Sequence, residues 1–481
     1  MLQTRLFYPE LQDHTSYYSS ADCAGAVARV KQYLVKMGVS KGGYTAVVLP
    51  NNLLTLILYL TLLEIGSIAV SFNVRWSDQE IQDQLDKLNC QIVISDRVGL
   101  GVNRVLITGV ELGTYLANQA DPIQLITNYI DLPSTEQIQG IFFTSGTTGK
   151  PKGVQLTVGN HYHSALTVNH FLQLNLQLSS PHWLLTLPLY HVGGMGILWR
   201  VLVGGGKISL APKFTEETII DWVRTGDVHL ISLVPTMWKK ILPHELFVDA
   251  LSHWQKLKAI FLGGERADRS LLEKCLHYQL PIFVTYGMTE CASQISILDV
   301  RKYPHKLNSV GQVLDHIQLE INAPEPATGI GEIAIHSPSL TCGYYRDELK
   351  FNQNGYYLTG DMGYVSENFL YLVDRRTDLI ISGGENIYPA ELEQILIKHP
   401  QIQEVVVIPQ SDATWGQVPA VIYTGEANLT LSDIQTFCLN AHLARYKLPK
   451  YLYWVQEMPL NSNHKIDRRL LRKLANQKQF F

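Results

Sequence analysis

Residues 142–154 gather three glycines, two lysines and four hydroxyls into thirteen positions. The chemical groups are those of Thr144, Ser145, Gly146, Thr147, Thr148, Gly149, Lys150, Lys152 and Gly153. Glycine lets the backbone take unusual dihedrals and lets an anion approach the main-chain N–H groups. Hydroxyl and ammonium side chains supply further donors. The stretch is suited to cradling a polyphosphate. It is not a Walker loop, which sets four residues between its glycines and opens a helix with Gly-Lys-Ser/Thr. Here two residues separate Gly146 from Gly149, and Pro151 follows Lys150. The flanks, Ile141-Phe142-Phe143 and Val154-Gln155-Leu156, predict strand, loop, strand.

Other groups with usable chemistry follow along the chain. Pro188 stops an apolar strand and leaves Tyr190 and His191 in a glycine-rich loop. Doubly wound sheets put their ligands at such strand ends, so His191 is expected to touch substrate rather than to act as a base. Gly263-Gly264-Glu265 ends one short strand, and Tyr286-Gly287-Met288-Thr289-Glu290 follows another. Asp361 closes a Gly- and Tyr-rich region, and a carboxylate can accept two bonds from a ribose diol. Arg375 sits in a charged run between two apolar strands. Gly383 and Gly384 precede Pro389, a good first helical residue. Lys465 lies in a polar loop near the C-terminus.

The 145–153 loop resembles the signature of the acyl-adenylate-forming superfamily, which includes acyl- and aryl-CoA ligases, luciferase and peptide-synthetase adenylation domains. The later segments match its motifs in order, almost to the last residue. The resemblance implies that the loop holds the β- and γ-phosphates of ATP. Gly263, Gly264 and Glu265 would then lie against the adenine and acyl group, with Gly287 and Met288 beside them, and Tyr286 would stack on the base. Thr289 would bond the phosphate, Glu290 would bind Mg²⁺, a hard cation that prefers oxygen, and Asp361 would hold the ribose. Arg375 matches the nucleotide-contacting arginine, Thr377 the pivot, the Gly383–Gly384 loop the pantetheine tunnel of CoA, and Lys465 the catalytic lysine. Many members place glycine before that lysine; here it is His464.

These groups need elements to position them. From residue 21 to residue 96, helices expected at 24–37, 51–65 and 78–88 alternate with strands at 44–49, 67–72 and 91–95. That alternation predicts right-handed crossovers onto a mainly parallel sheet. At 481 residues the chain exceeds what one core fills, so at least two domains are expected. With the resemblance, the reading is α/β: residues 1–376 form a large domain of parallel sheets layered with helices plus a β-barrel-like subdomain, and residues 377–481 a small mobile α+β domain. In the latter, strands are expected at 405–409 and 419–423 and a helix at 431–443.

The totals exclude some classes. Charged residues at 17% and a net charge of −4 do not call for a nucleic-acid partner. The six cysteines are scattered with no C-x-x-C pair, so neither a zinc site nor a disulfide framework is read. Reduced thiols and no signal peptide point to the cytoplasm. The apolar run 53–63 is too short to span a bilayer and predicts a buried helix. A homo-oligomer is left open.

The chemistry expected is attack of a carboxylate on the α-phosphorus of ATP. Mg²⁺ and Lys465 would stabilise the growing charge, and CoA thiol would then attack the acyl carbon. Gly159-Asn160-His161, Leu187-Pro188-Leu189-Tyr190-His191 and Thr289-Glu290-Cys291-Ala292-Ser293-Gln294-Ile295 resemble the bacterial 2-succinylbenzoate–CoA ligase family of menaquinone synthesis. That implies an aromatic keto-dicarboxylate as the acid, with Ser293 and Gln294 holding its second carboxylate. Another aryl- or fatty-acyl-CoA ligase, an adenylation enzyme loading a carrier protein, and a nucleotide-binding regulator without turnover remain as alternatives.

Overall fold

Repeated strand–helix units build two large sheets. A computed structural model describes residues 5–476 apart from 102, 119–128, 132, 146–150, 177, 179, 265–266, 268, 325, 327–328, 375–379, 388, 460–465 and 467. The chain divides into two compact units. The first comprises residues 1–74, 85–143 and 153–374; the second comprises 75–84, 144–152 and 375–481.

In the first unit, the strands Tyr44–Val48, Ile68–Ser71, Ile92–Ser95 and Val105–Ile107 run parallel, and Ile68–Ser71 pairs in parallel with Ile138–Ser145. Pro151–Thr157 and Gly343–Tyr344 complete this sheet at one edge, the latter antiparallel. The second large sheet places the parallel strands His182–Leu185, Leu230–Leu233, Ala259–Leu262 and Ile282–Met288 side by side. Ser293–Asp299 folds back antiparallel on the last of them. The expected barrel-like region is a four-stranded antiparallel sheet of Gln318–Asn322, Gly331–His336, Tyr357–Ser366 and Phe369–Asp374.

The helix Leu53–Ile65 shows how the core forms. It is apolar on every side, and residues 55–63 are all buried, as a helix packed from all directions must be. Asn52 caps its start by accepting from the Thr55 N–H, and Gly66 at φ +77 ends it. Among the described residues no helix is long and apolar enough to cross a membrane.

The second unit holds the strands Ile380–Ser382, Glu385–Ile387, Ile402–Asp412, Gly416–Gly425 and Tyr451–Trp454 in one sheet. The helices Pro389–Leu396 and Leu431–Asn440 share its apolar core. Two of these strands are longer than their apolar centres predict. The helix Leu431–Asn440 ends before residue 443 because Ala441 caps it and His442 turns at φ +63.

Candidate active site

Gly287 explains the shape of the Tyr286–Glu290 segment. The register between Ile282–Met288 and Ser293–Asp299 slips at Tyr286 and Gly287. A Cβ on Gly287 would lie 2.0 Å from the Ser293 carbonyl oxygen, so no side chain fits there. A single 3₁₀ turn, Thr289–Cys291, closes the hairpin with Ala292 at φ +52. Thr289 and Glu290 therefore sit at its tip, and Ser293 and Gln294 on its return strand. Cys291 is buried, which pushes its thiol up to about 11, and it packs with Sγ 3.3 Å from Ser339 Oγ.

Glu290 is buried, and its Oε1 accepts from the Tyr344 hydroxyl at 2.7 Å. Burial, and then the Glu290 charge, push the Tyr344 phenol up, so it stays a neutral donor to Glu290. No group of three or more His, Cys, Asp or Glu side chains gathers among the described residues. One carboxylate shared with substrate phosphates is the usual way Mg²⁺ is held, and Glu290 fits that chemistry.

Asp361 lies on the strand Tyr357–Ser366 and accepts from the Tyr286 hydroxyl through Oδ2 at 2.6 Å. The structure thus joins the residues expected to serve base and ribose. The Tyr286 side chain is buried, only 2% exposed. His191 begins the helix Val192–Gly204, half-buried, with its ring edge-on to Tyr190 at 4.8 Å. Asn51 pins the preceding loop. Its Nδ2 donates to the Leu187 oxygen at 2.8 Å, and its Oδ1 accepts from the Leu189 N–H at 3.0 Å.

Ser293 and Gln294 are brought together by a residue that motif reading did not select. Arg200 donates through Nη2 to Gln294 Oε1 at 2.9 Å and to Ser293 Oγ at 3.3 Å. It is 2% exposed, forms no ion pair with any described acid, and its Nε has no partner. Burial alone lowers its pKa to about 10. The signal was present: one guanidinium stands in the otherwise apolar run Ile197-Leu198-Trp199-Arg200-Val201-Leu202-Val203.

Gly263 and Gly264 follow the strand Ala259–Leu262, and the Gly263 N–H donates to the Leu233 oxygen at 3.2 Å. Gly383 and Gly384 form the turn between Ile380–Ser382 and Glu385–Ile387, and the Gly383 N–H donates to the Trp415 oxygen at 2.9 Å. Thr144 and Ser145 end one hairpin strand and Lys152 lies on the next. Gly146, Thr147, Thr148, Gly149, Lys150, Glu265, Arg375, Thr377 and Lys465 lie outside the described residues.

The chain belongs to the AMP-binding enzyme family: residues 5–345 match it, and residues 391–465 match its C-terminal domain. It is 36% identical over 458 residues to a 2-succinylbenzoate–CoA ligase of Bacillus cereus, covering 94% of this chain and 92% of that one. An o-succinylbenzoate CoA synthetase double mutant from Bacillus subtilis, bound with its product analogue OSB-NCoA, superposes with a TM-score of 0.85 at 30% identity. The match covers 98% of this chain and 96% of that one. The Bacillus subtilis enzyme in complex with ATP and magnesium ion gives 0.68 at 30% identity, over 98% and 97% of the two chains.

Proposed function

We propose that the protein is an AMP-forming acid–thiol ligase. It adenylates 2-succinylbenzoate with ATP, releasing pyrophosphate, and passes the acyl group to CoA, releasing AMP. The observation that carries the choice of acid is Arg200. A buried guanidinium with no acid paired to it among the described residues, bonded to Ser293 and Gln294, is matched to a substrate's second carboxylate. A long-chain monoacid would leave it without a counter-charge. The relatives named for 2-succinylbenzoate support the same reading.

In the first step a carboxylate oxygen bonds to the α-phosphorus and the bond to pyrophosphate breaks. The 144–152 loop cradles the β- and γ-phosphates, with Thr289 beside them. Glu290 would hold Mg²⁺, which would neutralise charge at the phosphates. Tyr286, Met288 and the 263–265 segment line the base and acyl site, Asp361 holds the ribose, and Arg375 contacts the nucleotide. His191 lines the acyl pocket, and Lys465 stabilises the transition state. In the second step the CoA sulfur bonds to the acyl carbon and AMP leaves, with Gly383 and Gly384 lining the pantetheine path. Residues 1–376 form the ATP- and acyl-binding domain, and residues 377–481 a mobile domain that pivots at Thr377. The cytoplasm, which keeps scattered thiols reduced, is its compartment.

An ATP–pyrophosphate exchange screen over aryl and alkyl acids, with CoA thioester detected by mass, tests the substrate. 2-Succinylbenzoate should give the highest exchange; equal exchange with benzoate or a fatty acid overturns the choice. Lys465→Ala should cripple exchange yet spare thioester formation from supplied acyl-adenylate. Equal loss of both steps rejects that division of roles.

A further inference from the structure

Tyr344 stands where three elements of the first unit meet. It belongs to the short strand Gly343–Tyr344, which pairs antiparallel with the return strand of the phosphate hairpin, Val154 opposite Tyr344. The chain around it is tied to both neighbours. The Thr341 N–H donates to the Glu290 carbonyl at 2.7 Å, and Thr341 Oγ1 donates to the Gln155 carbonyl at 2.5 Å. The Tyr345 N–H donates to the Gly153 carbonyl at 2.7 Å. A Cβ on Gly153 would stand 2.9 Å from Ile141 Cγ2, so glycine lets the hairpin strands close while this strap lies over them. The strap therefore holds the hairpin and the Glu290 turn in one register.

The side chain completes the joint. The Tyr344 hydroxyl donates to Glu290 Oε1 at 2.7 Å and lies 3.0 Å from the Tyr357 hydroxyl. Tyr357 opens the strand that carries Asp361. A carboxylate has about four lone-pair sites, so one phenol bond orients it and leaves capacity for a cation. Oxygen ligands positioned this way bind metal more tightly than ones free to rotate.

We propose that Tyr344 is a positioning residue for adenylation: its hydroxyl fixes the Glu290 carboxylate for Mg²⁺, backed by Tyr357, and so couples metal capture to the phosphate hairpin and the ribose strand. This rests on the ligase reading and on Glu290 as the metal carboxylate. Tyr344→Phe keeps the ring and removes only the donor.

The test is a Mg²⁺ titration of ATP binding without acid, followed by calorimetry, alongside the Mg²⁺ dependence of ATP–pyrophosphate exchange. Tyr344→Phe should raise the Mg²⁺ needed for half-maximal ATP binding and exchange by about tenfold. Exchange should recover at saturating Mg²⁺, and thioester formation from supplied acyl-adenylate should be unchanged. Tyr357→Phe should shift the same midpoint by a smaller factor, which keeps the idea testable if Tyr344→Phe does not fold. An unchanged Mg²⁺ midpoint in both variants, or an equal loss of both half-reactions at every Mg²⁺ concentration, overturns the proposal. Failure of the ligase reading is separate: the wild-type protein would then show no acid-dependent exchange at all.

Discussion

Among the described lysines and arginines, Arg200 in the first unit and Lys447 in the second are the two whose side chains lie almost wholly inside, 2% and 3% exposed. They are treated in opposite ways. The Lys447 ammonium sits 2.7 Å from Glu80 Oε1 and 2.8 Å from Glu391 Oε1, near the rings of Trp76 and Tyr446. Burial pushes its pKa down, but Glu391 and Glu80 together carry it above the usual lysine value. Glu391 is raised in turn, by burial first, because two carboxylates share one cation. Arg200 has only neutral partners, and nothing offsets its burial. A cation with its counter-charge built in is structural. One kept charged among neutral groups fits the proposal that Arg200 meets an anion arriving from outside.

The same substitution separates the two. Lys447→Met leaves Glu80 and Glu391, both partly buried, without their cation, which costs up to about 3–5 kcal/mol. Denaturant unfolding should show that loss, and adding Glu80→Gln and Glu391→Gln to Lys447→Met should restore most of it. A loss below about 1 kcal/mol would mean the charges are not desolvated as they stand.

Arg200→Met should do the reverse. The depressed pKa of about 10 corresponds to roughly 3 kcal/mol spent keeping the guanidinium charged. Relief of that cost offsets the two hydrogen bonds lost, so stability should change by no more than about 1 kcal/mol. Activity should fall instead. Losing a desolvated carboxylate partner is worth about 3 kcal/mol, or about a hundredfold in kcat/KM for 2-succinylbenzoate. A monocarboxylic aryl acid should be unaffected or improved. Equal loss on both acids would place Arg200 outside the acid site.

This contrast also marks what could be read from the chain. Leu53–Ile65 is legible because its apolar residues face all sides of the helix, with a cap at each end. The strands of the second unit are legible only at their centres. Residues such as Ser411 and Asp412 continue the ladder to Gly416, but apolarity marks only the buried part. Tyr286 and Asp361 are recognisable as motif residues, yet the bond joining them, across 75 positions, bridges two separate sheets. Glu80 and Lys447, 367 positions apart, leave no local trace. Arg200 did leave one, because a charge inside an apolar run must be answered by the fold or by a ligand.

His161 shows a third treatment, in which the charge is given up. It is wholly buried, stacked on Trp199 at 5.2 Å, with neither ring nitrogen hydrogen-bonded. Burial lowers its pKa from 6.5 to about 3. The unfolded chain therefore takes up a proton near pH 6.5 that the folded protein refuses until about pH 3. Its contribution to stability is complete above pH 6.5 and is lost as pH falls toward 3, at about 1.4 kcal/mol per pH unit. His182, pulled down to about 4 mainly by burial, adds the same trend as background. His161→Phe keeps an aromatic ring against Trp199 and removes one of the two protons. Between about pH 6 and about pH 4.5, unfolding free energies of the variant should fall less steeply than those of the wild type by about 1.4 kcal/mol per unit. Parallel slopes would show that His161 is protonated inside the fold, and that the first unit tolerates a second buried cation besides Arg200.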